Sequence, residues 1–407
     1  KLGEVRHHKL ADLPGALTAF SECLVLTPSN EAIHEQVTEL ALYTQNMESL
    51  RACYERLAIG GVEQPSDSNL ALIYSDRLVD LLDNEFDDLV GVRQTLEDAC
   101  DAQGDNLKRL ARLESCVRRL EDWHGLTDVK ARQIAVAGDG SLKIDLLTEL
   151  AQLAEDKLNS LERAYEAWAE IERLQPLAPE AVGSMIRLLE SLNDWERLVV
   201  LMERRYEHAA DDRVQVGLEL GNLCLKVDRF ERSVEIYGAL MEPTPQIGLS
   251  EALENFVQHA QEQGADELLM LEAAQMLATC HEVERSWHPL QGILKLILEL
   301  TSGGQERLEI RRRLVSISRF ELGEERFACE IAYEGLVEDG PCDELFKVLN
   351  EVGQTTLEAD LLAEYLRASI EADSGEGLST ADRLRWLERS TETMIALEQD
   401  QLALSFV

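Results

Sequence analysis

Residues 193–206 read Asn193-Asp194-Trp195-Glu196-Arg197-Leu198-Val199-Val200-Leu201-Met202-Glu203-Arg204-Arg205-Tyr206. Asp194 is the kind of residue that accepts a free N–H of a starting helix, and Trp195 is a large apolar anchor just inside it. The apolar positions that follow recur at helical spacing, so the stretch predicts a capped amphipathic helix.

Versions of this stretch recur along the chain. Large apolar anchors stand at Leu13, Met47, Leu89, Trp123, Leu161, Trp195, Phe230, Trp287, Phe327 and Leu357. Three successive pairs, Leu13 to Met47, Leu89 to Trp123 and Leu161 to Trp195, are each 34 residues apart. The residue before the anchor is a capping type at Asp12, Asn46, Asp88, Asp122, Ser160, Asp194, Ser286 and Thr356, with Arg229 and Arg326 the exceptions. Cap and anchor therefore travel together, and each anchor ring is expected to lie buried between stacked helices.

The stretch from Val214 to Ile247 resembles the tetratricopeptide repeat, a helix-turn-helix unit of 34 residues with small residues at fixed points. Leu220-Gly221 matches its first-helix Leu-Gly position, Ser233 its second-helix Ala, Tyr237 its aromatic and Pro245 its closing proline. Ala16, Phe20 and Pro28 repeat the last three at the same offsets, as do Ala164, Trp168 and Pro176. Gly217 and Cys224 replace the family's first-helix Trp and Tyr. The spacings between the 34-residue pairs, 42 from Met47 to Leu89 and 38 from Trp123 to Leu161, resemble the double repeats of long bacterial arrays of this family. Between Phe230 and Trp287 the register slips by 57 residues.

The resemblance implies an all-α fold, an α-solenoid of antiparallel helix pairs wound as a right-handed superhelix. Residues 1–247 read as repeats in register, 248–372 as degenerate repeats continuing the solenoid, and 373–407 as a linker with a partial or capping helix. Thr355 with Glu358, and Ser379 with Asp382, are spaced like capping boxes. Glycines at 60–61, 138–140 and 303–304 are expected to end helices with positive φ.

Composition narrows the function classes. The 78 acidic against 39 basic residues give a formal net charge of −39, spread along the chain. Such a field repels phosphate backbones and anionic lipid, so neither a nucleic-acid partner nor membrane-surface binding is expected; no apolar run approaches the ~18 residues a bilayer span needs, so membrane insertion is not expected either. Eight cysteines have no Cys-x-x-Cys pair and fall mostly at apolar helical positions, which fits a reducing, cytoplasmic setting. Starting at Lys1 and stopping in an apolar helical stretch, the sequence reads as an excerpt.

No nucleophile elbow, Walker loop, zincin motif or dinucleotide fingerprint is present. Cys280, His281, Glu284 and His288 form the densest ligand-type cluster, but a turn expected near Ser286 breaks their common face. His7-His8 reads as terminal. Arg311-Arg312-Arg313 spreads around a helix, with Glu306 and Glu309 in reach for local pairing. No catalytic residue, metal or cofactor is expected.

In the resembled family the first helix of each pair lines a concave peptide-binding groove. Register then places Leu218, Asn222 and Lys226 on the inner face of one helix and Arg187 on the helix of the preceding unit. Arg187, Asn222 and Lys226 are the groove candidates, Asn222 matching the family's clamp asparagine while Leu218 stands where its lysine would be. The expected function is a non-catalytic scaffold binding a protein segment in that groove. The alternative is a regulatory or sensory arm of a larger signalling enzyme. Neither the partner's identity nor the oligomeric state is legible.

Overall fold

A computed structural model describes residues 2–8, 12–59, 68–372 and 378–407. Among them every regular element is helical. Packing divides the chain into two compact units, Lys1–Asp194 and Trp195–Val407. The first contains α1 (Leu2–His8), α2 (Leu13–Leu26), α3 (Glu31–Thr44), α4 (Met47–Leu57), α5 (Ser68–Leu81), α6 (Leu89–Gln103), α7 (Leu107–Arg119), α8 (Trp123–Val136), α9 (Gly140–Asp156), α10 (Leu161–Leu174) and α11 (Pro179–Leu192). The second contains α12 (Trp195–His208), α13 (Arg213–Lys226), α14 (Phe230–Leu240), α15 (Leu249–Gln263), α16 (Glu267–Glu284), α17 (Trp287–Leu300), α18 (Gly304–Phe320), α19 (Glu325–Glu338), α20 (Asp343–Thr356), α21 (Ala359–Glu371), α22 (Thr380–Ala396) and α23 (Asp400–Ala403).

Within each unit every helix packs on the next one in sequence. Several also touch the next but one, as α2 does α4, α13 does α15, and α19 does α21. That is how a helical-repeat stack buries apolar stripes that no single pair could cover. The fold is thus an all-α, tetratricopeptide-like solenoid. Units drawn by packing and segments drawn by repeat register are different divisions, and residues 248–372, expected as degenerate repeats, form α15 to α21 of the second unit.

The junctions before the anchors share one geometry. Gln45, Asp87, Glu121, Asn159, Asn193, Asp228 and Arg285 stand two residues before Met47, Leu89, Trp123, Leu161, Trp195, Phe230 and Trp287, each with φ between 49° and 57°. The following residue's N–H turns back onto the helix just ended, as Asp122 does to Val117 O at 3.2 Å and Ser286 to His281 O at 2.9 Å. This left-handed closure satisfies carbonyls a helix end leaves open. The cap side chain then opens the next helix: Asp12, Asn46, Asp88 and Asp122 each accept an amide N–H at 2.9–3.2 Å. Ser160 and Ser286 hold the position without a side-chain bond.

Several expectations are corrected here. The anchor side chains are half-buried, Trp123, Trp195 and Trp287 included. A side chain in the first turn leans back past the helix start and roofs the junction, so the interior is filled one turn later, by Leu198, Val199 and Met202. Leu357 starts no helix: it closes α20, and α21 begins at Ala359, so Thr355 and Thr356 belong to a helix end. Gly138, Gly140, Gly303 and Gly304 do not take positive φ; Gly140 and Gly304 begin helices instead. The capping segment holds more than one helix, because Glu398 at φ 59° breaks it after Ala396. Ser379 does cap α22, its Oγ accepting Asp382 N–H at 3.2 Å. The glycines at 60–61, the linker at 373–377 and the side chain of His8 lie outside the described residues.

The register slip is also explained. Residues 249–284 hold two helices, α15 and α16, with Gly264 in a left-handed turn between them and Asp266 capping the second through Leu268 N–H at 2.8 Å. Up to α14 the left-handed turn, polar residue and anchor mark even-numbered helices. At α17 they mark an odd-numbered one, and Gly323 and Glu398 place a left-handed residue two positions before α19 and α23, with no apolar anchor at the first position of either.

Candidate functional site

The repeat signature is realised most closely where α13 meets α14. A β-carbon on Gly221 would lie 2.3 Å from Cε1 of Tyr237, so only glycine lets the fully buried ring pass. Ser233, also fully buried, donates its hydroxyl to Gly221 O at 3.0 Å. Tyr237 donates to Asn222 Oδ1 at 2.9 Å, and burial pushes its phenol up to about 12. The small, aromatic and Asn positions therefore cooperate in closing one helix pair.

The three groove candidates sit on exposed helix faces and each has a partner within its own unit. Arg187, in the first unit, pairs with Glu155 at 2.7 Å, and Glu155 also accepts the Trp168 indole N–H at 3.2 Å. Asn222, in the second unit, is the acceptor of Tyr237. Lys226, one turn on, holds its ammonium 4.5 Å from the centre of the Trp195 ring. The same arrangement recurs with Lys157 over Trp123 at 5.0 Å and Lys295 over Phe327 at 4.2 Å. The cation over the aromatic roof is thus a repeated structural device, which spacing of anchors alone did not disclose.

Among the described residues, three clefts fall between even-numbered helices. In the first unit, α8 and α10 flank a cleft of about 290 Å3 over α9, lined by Asp128, Ala131, Leu147, Leu150, Arg163 and Glu166 among others. In the second, α20 and α22 enclose about 340 Å3. Its floor is polar: Thr393 donates to Asn350 Oδ1 at 2.9 Å and receives Gln354 at 3.2 Å, with Lys347, Glu351, Arg389 and Glu392 around it. The largest of the three, about 430 Å3, lies between α16 and α18 over α17. Arg187, Asn222 and Lys226 line none of these three.

Reactive side chains are tied into structure. Burial pushes the thiols of Cys53, Cys224 and Cys280 each up to about 11, leaving them protonated and poorly nucleophilic near neutral pH. α16 ends at Glu284 and Arg285 turns left-handed, so His288 sits on the next helix, as the expected turn requires. His281 is buried against Glu254 at 3.3 Å. Among the described residues no group of three or more His, Cys, Asp or Glu is placed to hold a metal ion.

The arginine run is intramolecular, though not through Glu306 or Glu309. Arg311, 2% exposed, runs into Asp339, also 2% exposed, and reaches Glu334 at 3.0 Å and Glu338 at 2.6 Å. Arg307 joins the same Asp339 and donates to Leu298 O at 2.7 Å. Arg312 turns to Glu344 and Arg313 to Glu282. Three consecutive arginines thus fix α18 against three different neighbours, as residues spread around a helix must.

No family model matches the chain, and no curated protein does. Among the solved structures similar to it are two at 12% identity each. One is the Naa15/Naa10 complex bound to HypK-THB, with a TM-score of 0.32 over 99% of this chain; the chain spans 66% of that one, just under two thirds. The other is a tetratricopeptide repeat protein from Parabacteroides merdae, with a TM-score of 0.21 over 79% of this chain and 98% of that one. At such values the fold class rests on the chain's own helix packing. Among the described residues no helix is long and apolar enough to cross a membrane.

Proposed function

We propose that the chain is a non-catalytic scaffold that binds a segment of another protein along a face of its helix array. What supports this reading is the cleft over α17, where two flanking helices leave an apolar floor open to solvent. The preformed rigidity of packed helices lowers the ordering cost that a partner segment meets. Arg187 on the first unit and, separately, Asn222 and Lys226 on the second are the proposed polar contacts, each exposed.

The test is cross-linking of full-length chain to captured segments, followed by mapping of the linked residues. Links gathered on one helix face support the scaffold. Links scattered over the whole surface, or no captured segment at all, remove it. The polar contacts are tested separately: Arg187→Glu with Lys226→Glu should cost any acidic segment at least tenfold in affinity by titration calorimetry. Unchanged affinity would take those residues out of the reading.

A further inference from the structure

We propose that the cleft between α16 and α18 receives an aliphatic side chain of a partner segment whose flanking residues are lysine or arginine. This rests on the scaffold reading and names the chemistry of the segment.

The floor of the cleft is apolar. Ala278, Leu294 and Ile297 are at most 4% exposed, and half-buried Leu271 and Ile310 form the walls. Thr301 adds no free donor, because its hydroxyl is spent on Ile297 O at 2.7 Å. A volume of about 430 Å3 lies in the ~300–1,000 Å3 range of built binding pockets. Such a floor rewards aliphatic groups and offers little to a polar one.

The rim fixes the sign of the charge. Glu306 and Glu309 are exposed and, among the described residues, make neither an ion pair nor a hydrogen bond; Glu309 adds to the field at Arg312 without touching it. The lining cation, Arg313, is already engaged by Glu282 at 2.8 Å. Two uncompensated carboxylates thus stand over an apolar floor. The other two clefts differ: Lys347 and Arg389 balance Glu351 and Glu392 around α20 and α22, and Arg163 stands beside Asp128 and Glu166 near α9. A second copy of this chain is a poor occupant, since two molecules of charge −39 repel. A segment with Lys or Arg beside a Leu or Ile satisfies floor and rim together.

The test uses the full chain and fluorescence anisotropy with a fluorescein-labelled peptide carrying two leucines flanked by lysines. Two counterparts replace the leucines by serine or the lysines by glutamate. The expected result is binding of the first peptide alone. Glu306→Gln with Glu309→Gln should then weaken it about tenfold at low salt. Ile310→Gln, with helicity checked by circular dichroism, should weaken it to a similar extent. Asp360→Asn with Glu364→Gln, which removes the same charge from α21, should leave binding within twofold.

Equal weakening by the α21 pair would overturn the proposal, because the attraction would then be that of the whole acidic chain. So would binding of the glutamate peptide, or a dimer in sedimentation that Ile310→Gln dissolves, which would assign the cleft to a second copy. If the lysine-leucine peptide fails while a display selection on the full chain yields other binding peptides, this cleft assignment falls and the scaffold stands. If no peptide of any composition binds, both fall.

Discussion

Two tryptophans differ in structural standing, one at the first position of its helix and one in the interior of another. Trp386 on α22 is fully buried, stacks on Phe346 with ring centres 4.0 Å apart, and donates to Asp343 at 2.7 Å. Its replacement by alanine should cost about 3–5 kcal/mol, read as a lower urea midpoint. Trp195 is half-buried under Lys226, so Trp195→Ala should cost only about 2 kcal/mol; equal losses would show that the roof position is core after all. Asp122 gives a pH prediction. The Gly125 amide, then the Arg93 guanidinium, hold its carboxyl below the ordinary range. A depressed folded pKa favours the ionised folded state, so its contribution is present above the unfolded value of about 4 and fades as pH falls through the folded one. Asp122→Asn keeps a capping side chain but removes this titration, and should flatten the acid limb of stability measured between neutral pH and pH 3. An acid limb as steep as in the parent chain would refute that. At this scale the sequence disclosed the caps, because capping chemistry is local. It did not disclose the cations over the anchors, whose partners lie some 30 residues away.

At the scale of the element, the helices were legible because period, cap and anchor agree along most of the chain. The left-handed turns before the anchors were not. Glutamine, aspartate, glutamate, asparagine and arginine all occupy that position, so no residue type announces it. Each such residue carries backbone strain that surrounding packing and the returning N–H hold in place. Arg285→Val should therefore destabilise by about 1–2 kcal/mol, because a β-branched side chain tolerates positive φ worst, while Arg285→Gly should be neutral or stabilising. Thermal unfolding distinguishes them, and a tolerated valine would mean the turn is not held as described. Gly221 is the converse case, legible in the sequence through the repeat signature. Gly221→Ala must displace Tyr237 and should cost about 1–3 kcal/mol by urea unfolding; an unchanged midpoint would show that the close approach is slack.

At the scale of the molecule, the two main cores share no residue. One runs from Ala16 to Val129 and the other from Leu225 to Phe406. In stacked repeats stability is largely a sum of neighbour terms. Trp386→Ala should accordingly speed hydrogen exchange in α20 to α22 and leave α2 to α8 unchanged by mass spectrometry; a uniform rise in both would show one cooperative unit. The solenoid class was readable from periodicity, whereas the clefts were not, since they arise where alternate helices leave space and no motif encodes a gap. The pair α15 and α16 has a further consequence, for anyone cutting and rejoining this chain. Like a frameshift in a message of two-letter words, it changes which letter carries the stress. A deletion or graft made wholly between α4 and α14 keeps its junctions matched when helices are moved in even numbers. A splice spanning that pair must move an odd number, or it joins two ends built to the same half of the pattern.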